Sequence, residues 1–388
     1  MEQGESKKTI RTLGLSSFFN DLGSDMINPV WPLFLTGVLG ANMAVVGFID
    51  GLGEALVSLS QALSGYLSDR FRKRKLFIWL GYSFPIVARA GYALATSWQS
   101  VIPFKVLDRA GKIRGAPRDA MIADVSTHAN RGAHFGFRKM MDHLGAVCGI
   151  LACLALFNFL GYRNLFLIAA LPSLAAAGLV IFFIREKPAK RAVYEGFSLR
   201  LIDRNFTLLL AMSSVFALGA FSYSFLLIYA QKAGFAITTI PVLYLVFTVA
   251  ASVSALPFGK LSDSIGRKPV LAISFFLWIA VCAGLIFFQT TAVITLAFVL
   301  YGFHKASLDT VQTTFASELC PVKYRASSLG ALQMIIGLCA LPASLIAGML
   351  WDRINIAAPF YFSLALTVVA VVLLLLIDNR ACNDEVRS

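Results

Sequence analysis

Charge is what this sequence has least of. Only 14% of its 388 residues are Asp, Glu, Lys or Arg, against 58% that are apolar, whereas soluble domains charge about a quarter of their residues. That poverty excludes an ordinary soluble protein and places most of the chain in lipid. Acidic residues are scarcer than basic ones, 21 against 34, for a formal net charge of +13. Such an excess suits nucleic acid when the bases form one patch; here they are divided among separate connections between apolar runs, so nucleic acid is not expected as a partner. The six cysteines, Cys148, Cys153, Cys282, Cys320, Cys339 and Cys382, form no CxxC pair and have no histidine cluster nearby, so they read as small packing residues. There is no Gly-x-Ser-x-Gly elbow, no HExxH pair and no GxxxxGK[ST] loop. Enzymatic chemistry and ATP-driven pumping therefore find no support, and no cofactor or metal site is expected. The start, MEQGESKKTIRTL, lacks a short apolar core followed by a small-residue cleavage site, so the first apolar run is expected to act as its own insertion signal.

What is abundant is apolar length. Runs of the ~20 residues that cross a bilayer fall near 13–38, 43–66, 76–97, 100–123, 134–160, 164–185, 206–232, 238–258, 269–289, 291–316, 325–351 and 356–378. They are too long for barrel strands and lack their alternation, and lipid offers no partner to an unsatisfied backbone group, so helices are expected. Pro29, Pro32 and Pro342 sit inside runs and predict kinks. The bases cluster in alternate connections: Lys7, Lys8 and Arg11; Arg70 and Arg72 to Lys75; Arg185 to Arg204; Arg267 and Lys268. By the positive-inside rule both termini and the central linker face the cytoplasm.

The two halves repeat. GYLSDRFRKRK begins at Gly65 and GKLSDSIGRKP at Gly259, 194 residues on; Asp124 and Glu318 keep that offset, as do RGAHFG from Arg131 and RASSLG from Arg325. Parallel repeats of this kind recur in transporters. The expected fold is an all-α polytopic membrane protein, twelve transmembrane helices in two pseudo-symmetric six-helix bundles: 1–185, a linker over 186–205, and 206–388. Asp69 stands where the second span leaves the membrane and Arg70 follows it. Asp69 is read as a latch that pairs with a cation or helix end of the neighbouring bundle, with Asp124 in the same network and Asp263 and Glu318 as the second copy; the bases of the loop read mainly as topology signals.

The loop Gly65-x-Leu67-x-Asp69-Arg70, with Lys73 and Arg74, resembles the signature of the major facilitator superfamily, and the resemblance covers essentially the whole chain. Phe71-Arg72 replaces the usual residue-glycine step, and Ser264 replaces arginine in the second copy, which weakens the latch expected there. The resemblance implies two six-helix bundles, a central cavity lined by spans one, four, seven and ten, and alternating access.

Ionisable residues inside spans cost roughly 2.5–3.5 kcal/mol each at the helix centre, so a cluster of them marks pairing or a watery path. Span one carries Asn20, Asp21, Ser24, Asp25 and Asn28, with Asp21 and Asp25 on one face. Span four carries Lys105, Asp108, Arg109, Lys112, Arg114, Arg118 and Asp119; span five Arg138, Lys139, Asp142 and His143; span two Asp50 and Glu54; span three Arg89. The second half is bare at matching positions, with Gly219 for Asp25, Ala306 for Lys112, Gln312 for Arg118 and Ile336 for Asp142. Two readings follow. In one, Asp108 with Arg109 and Arg118 with Asp142 are buried pairs that join helices. In the other, Asp21 and Asp25, the latter ranked above Asp50, bind protons or cations, while Arg109, Lys112 and Arg118 present positive charge to an anionic or zwitterionic solute. Asp119 is a further candidate for titration. His304, Lys305 and Asp309, with Tyr223, Tyr229 and Gln231, would complete the opposite wall.

The function expected is a proton-coupled secondary transporter, acting as a monomer on a small polar anionic or zwitterionic solute. Export of a transition metal, with Asp21, Asp25, Asn20 and His143 as ligands, or of lipophilic compounds is the alternative within transport. A non-transporting membrane receptor is the alternative outside it.

Overall fold

The computed structural model describes residues 3–71, 73–126, 131–184, 204–319 and 325–378. The linker apart from Arg204 and Asn205, together with Arg72, Cys320, Cys382 and the side chains of Asp69, Arg131 and Arg325, lies outside them. Among the described residues every regular element is helical: α1 (Gln3–Ile27), α2 (Trp31–Gly37), α3 (Met43–Phe71), α4 (Arg74–Leu94), α5 (Trp98–Ala110), α6 (Gly115–Asp124), α7 (Arg131–Phe183), α8 (Arg204–Gly219), α9 (Tyr223–Lys232), α10 (Ile240–Ile265), α11 (Arg267–Phe287), α12 (Thr291–Glu318), α13 (Arg325–Arg353) and α14 (Ala358–Leu375).

The expected runs meet these helices with informative differences. Span one is two helices parted at Asn28–Val30. Pro29 brings no N–H and disfavours helical dihedrals in the residue before it, and Pro32 opens α2. Span four is also broken: α5 ends at Ala110, a tighter 3₁₀ turn covers Gly111–Arg114, and α6 continues. Span seven divides between Gly219 and Tyr223, with Ser222 capping α9. Spans five and six form the single element α7, interrupted at Gly161, whose φ of +64° suits glycine. The kink expected at Pro342 did not become a break, since α13 runs through it.

Among the described residues eight helical segments have the length and apolarity to cross a bilayer, the joined spans five and six counting as one. The expected spans that fall short are the first, third and fourth, whose polar residues form the site described below.

Contacts divide the chain into two units. One comprises Met1–Ala41 with Leu52–Val193, the other Asn42–Gly51 with Tyr194–Ser388. In the first, α1 lies along α7, where a Cβ at Gly145 or Gly149 would meet the carbonyl of Phe18 or Leu22. Two apolar layers close this unit. One packs Leu13, Ile78, Tyr82, Ile122, Ala176 and Val180. The other is aromatic, with Trp31 against Tyr92 at 4.7 Å between ring centres and Phe34 edge-on to Phe166 at 4.9 Å. Along α1–α2 and α4 the polar residues lie between these layers in sequence, and on α5–α6 they precede Ile122 of the first layer.

In the second unit Asp352 accepts from the first two backbone N–H groups of α3, those of Met43 (3.1 Å) and Ala44 (2.7 Å), an acid at a helix N-terminus. Asp50, buried at 8% exposure, accepts from Ser222 (2.8 Å) and Ser224 (2.5 Å) at the α8–α9 break. An aromatic cluster around Trp278, Phe216 and Tyr301 fills the core of this unit.

Candidate functional site

The break in span one and the break in span four face the same cavity, of about 180 Å³, between the two apolar layers of the first unit. Span one contributes Asn20, Asp21, Ser24, Asp25 and Asn28; span three contributes Arg89; span four contributes Lys105, Asp108, Arg109, Lys112 and Arg114, and Trp31 and Tyr92 bound it on the aromatic side. Five cations and three carboxylates thus line one small space.

Arg89 holds the floor. It is 1% exposed, and its guanidinium donates to the Ala169 carbonyl and Ser173 Oγ at 2.6 Å each, to Ser24 Oγ at 2.8 Å and to the Asn20 carbonyl at 3.3 Å. These bonds join α1, α4 and α7, and all end on neutral oxygens. Gly23 makes room for it, because a Cβ there would collide with the guanidinium. Arg114 is likewise buried and neutral in its contacts: it donates to the carbonyls of Gly111 (2.6 Å) and Gly81 (3.2 Å), and its Cζ lies 4.9 Å from the Tyr82 ring centre. The ammonium of Lys105 sits 4.2 Å from the Trp31 ring centre, a cation–π contact.

The remaining groups are less restrained. Lys112 is half-buried and makes no hydrogen bond or ion pair among the described residues. Asp21 accepts from Asn20 Nδ2 at 2.8 Å, and Asp25 from Asn28 Nδ2 at 3.0 Å. Asn20 Oδ1 is buried without a partner among the described residues. Asp108 Oδ2 lies 3.7 Å from Arg109 Nε.

Arg118, Asp119 and Asp142 belong elsewhere. Arg118 donates to Ser17 Oγ (2.8 Å) and Asp119 (3.3 Å), Arg138 lies 3.7 Å from Asp119, and Arg138 donates to Asp142 at 2.8 Å. Two cations and two carboxylates balance, and the network ties α1, α6 and α7 beside Tyr82. The pairing expected between Arg118 and Asp142 is thus corrected: Asp142 takes Arg138, one helical turn away on its own helix, and Asp119 is the acid bonded to Arg118.

His304 does not line this cavity. It is 3% exposed, with Nδ1 2.8 Å from the Ser274 carbonyl, and it packs against Trp278 and Phe216 at 5.3 and 5.5 Å between ring centres. The carbonyl assigns the proton to Nδ1. Asp309 is exposed and paired with Lys305 at 2.9 Å, and Tyr229 donates to the Leu285 carbonyl inside the core.

The repeated motif is tied within each unit. Arg74 bonds Asp124. Arg267 bonds Asp263 and, through Nε (3.0 Å) and Nη2 (2.7 Å), Glu318. Lys75 donates to the Ile181 carbonyl at 2.8 Å, while Lys268 donates to those of Leu375 and Ile377 at 2.9 Å. Arg74 therefore does in one half what Arg267 does in the other, a correspondence one residue off the offset of the acids. Arg70 is exposed at the end of α3. The side chain of Asp69 lies outside the described residues.

Reading for acids and bases found Asp21, Asp25, Asp108, Arg109 and Lys112 as cavity residues. It did not single out Trp31 or Tyr92, whose only sequence signal is an aromatic ring beside a predicted kink or near a span end.

A family model described as the Major Facilitator Superfamily matches residues 13–227 and 207–387. The chain is similar to an uncharacterized MFS-type transporter of Methanocaldococcus jannaschii, 34% identical over 384 residues and 96% of either chain. Among solved structures it is similar to a nucleoside transporter, with a TM-score of 0.80 at 14% identity over 95% of this chain and 98% of that one. It is also similar to a D-xylose–proton symporter, with a TM-score of 0.76 at 15% identity over 97% and 98%. Both solved structures bear on the fold.

Proposed function

The chain belongs to the Major Facilitator Superfamily, and on that premise we propose that it moves a small anionic or zwitterionic solute by alternating access, coupled to protons. It is a multi-pass membrane protein and a secondary transporter, not an enzyme. The observation that carries the proposal is the lining of the first unit's cavity, where five cations outnumber three carboxylates. Buried charge is stable only when paired, hydrogen-bonded or neutralised. A negatively charged solute supplies what this lining lacks, with Lys112 its first contact.

Asp21 is the proposed proton carrier. Its carboxylate accepts from a neutral amide, that of Asn20, and it shares the cavity with Lys112. A proton on Asp21 and an anion against Lys112 favour each other electrostatically, so the two travel together. The basic connections orient both termini toward the cytoplasm in this proposal. Lipophilic cargo would leave eight charged groups facing an apolar solute, and a transition-metal ion would meet a surplus of cations, with His143 outside the lining.

The test is current recording from proteoliposomes on a capacitive support, challenged with organic anions, amino acids, lipophilic cations and divalent metals at two pH values. A pH-dependent current for an anion or zwitterion, lost in Lys112→Ala and stripped of its pH dependence in Asp21→Asn, is expected. Responses confined to metals or lipophilic cations and indifferent to Lys112 would overturn the proposal. Ligand binding without flux would make the protein a receptor.

A further inference from the structure

We infer that the solute carries two negative charges, as a short dicarboxylate or a phosphate-like oxyanion does; this deepens the reading above and rests on it. Three cations of the cavity have only neutral partners or none among the described residues. Arg89 spends its hydrogen bonds on two backbone carbonyls and two serine hydroxyls, Arg114 on two carbonyls and a tyrosine ring, and Lys112 makes none. Hydrogen bonds to neutral oxygens solvate a cation but leave its charge uncancelled.

On the acidic side only Asp21 stands against these three, bonded to the amide of Asn20. Asp108 and Arg109 lie 3.7 Å apart and cancel. Asp25 and Lys105 contribute one charge of each sign to the same lining. The neighbouring network of Arg118, Arg138, Asp119 and Asp142 is balanced and lends no charge. With Asp21 ionised, the surplus is therefore two positive charges around a space of about 180 Å³, where charges this close act on a bound solute more strongly than they would dispersed over a surface. A monoanion or zwitterion leaves part of that surplus standing; a dianion cancels it.

A second observation points to the same occupant. Asn20 Oδ1 is a buried acceptor with no partner among the described residues, in a side chain 1% exposed that lines the cavity. It lies next in sequence to Asp21 and needs a proton donor, which the P–OH of a hydrogenphosphate dianion supplies and a fully ionised dicarboxylate does not, so of the two dianions it favours the phosphate-like one. Leaving such a group unsatisfied is costly.

The experiment uses the purified full chain in nanodiscs at constant ionic strength and neutral pH. Equilibrium binding and thermal unfolding are measured with succinate, inorganic phosphate, propionate, β-alanine and choline. Succinate or phosphate is expected to bind roughly tenfold or more tightly than propionate, and whichever of the two prevails identifies the source of the charge. Lys112→Ala removes one surplus charge and should bring the ratio of dianion to monoanion affinity close to one, with Lys112→Arg restoring it. Asp21→Asn adds a surplus charge and should preserve or increase that ratio. The unfolding midpoint of each variant without ligand separates lost binding from lost folding. Propionate or β-alanine bound as tightly as the dianions, or an unchanged ratio in folded Lys112→Ala, overturns the inference while leaving the anionic or zwitterionic reading intact. Binding of choline alone, or of none of the five, overturns both.

Discussion

Arg89 Nη2 donates to Ser24 Oγ at 2.8 Å, so a cation of α4 is fixed to the polar face of α1 that also carries Asp21 and Asp25. The same guanidinium reaches Ala169 and Ser173 on α7. Three helices thus meet at one side chain, and the cavity inherits its shape from it. Arg89→Met should lower unfolding stability by about 2–4 kcal/mol, through the oxygens left unsatisfied and the space left behind. Gly23→Ala should also lower the midpoint, because its Cβ would fall on the guanidinium and 2.5 Å from the Ala169 carbonyl. Gly37→Ala, with nothing within 4 Å of the added atom, is the matched control. Unfolding in detergent, followed by intrinsic fluorescence, reads all three.

The balanced network makes a different prediction. Arg138 donates to Asp142 at 2.8 Å with side chains 14% and 20% exposed, and removing one member of such a pair leaves the other charge uncompensated. Arg138→Gln alone and Asp142→Asn alone should each destabilise by about 1–3 kcal/mol. The double variant should be more stable than the sum of the single losses implies, and it should still transport. A double-mutant cycle on unfolding midpoints, with flux measured beside it, checks both. Additive losses, or loss of flux in a stable double variant, would assign the network to the transport site.

Much of this fold was legible because bilayer thickness imposes one length on every span, and the twelve apolar runs announce themselves. The breaks were harder to read. Pro29 and Pro32 marked the one in span one, but the interruptions at Gly111–Arg114 and Ala220–Ser222 carry no proline, and helical runs of small residues hide them. At the site, ionisable residues inside spans were visible as anomalies, and Asp21, Asp25, Asp108, Arg109 and Lys112 do share a cavity. Sequence spacing could not say which of them pair, because Arg118 and Asp142 lie on different helices and compete for partners. His304 shows the converse. Its polarity stood out in an apolar run, yet its partners are a carbonyl and aromatic rings. At Arg74 and Arg267 the two halves correspond one residue off the offset of the acids, which sequence spacing alone did not reveal.

At the start of α11, Arg267 is shared by Asp263 and Glu318. Arg267→Gln should therefore cost more stability than Lys268→Gln, whose parent bonds only backbone carbonyls, by about 1–2 kcal/mol at low salt. Because Asp263 is largely exposed, part of that difference should disappear at high ionic strength. Unfolding midpoints at two salt concentrations measure it. Equal losses in the two variants would mean that Arg267 contributes no more than a helix-terminal cation.

His304 and Asp21 are both ionisable groups within spans, and they predict opposite outcomes. The Nδ1 proton of His304 is committed to the Ser274 carbonyl at 2.8 Å, and the ring is enclosed by Trp278, Phe216 and Tyr301. A group enclosed in this way has no route to exchange protons with a solute path, so His304→Asn should lower the unfolding midpoint through lost packing and leave the pH profile of transport unmoved. Asp21 lines the cavity with one neutral donor, Asn20. Asp21→Asn keeps the shape of the side chain and removes its proton equilibrium, so folding should survive while flux loses its dependence on a proton gradient, leaving exchange of solute across the membrane. Measuring solute uptake with and without an imposed pH gradient, and solute exchange at equal pH, separates the two. A pH profile that shifts in His304→Asn and persists in Asp21→Asn would move the proton site from the cavity of the first unit into the aromatic core of the second.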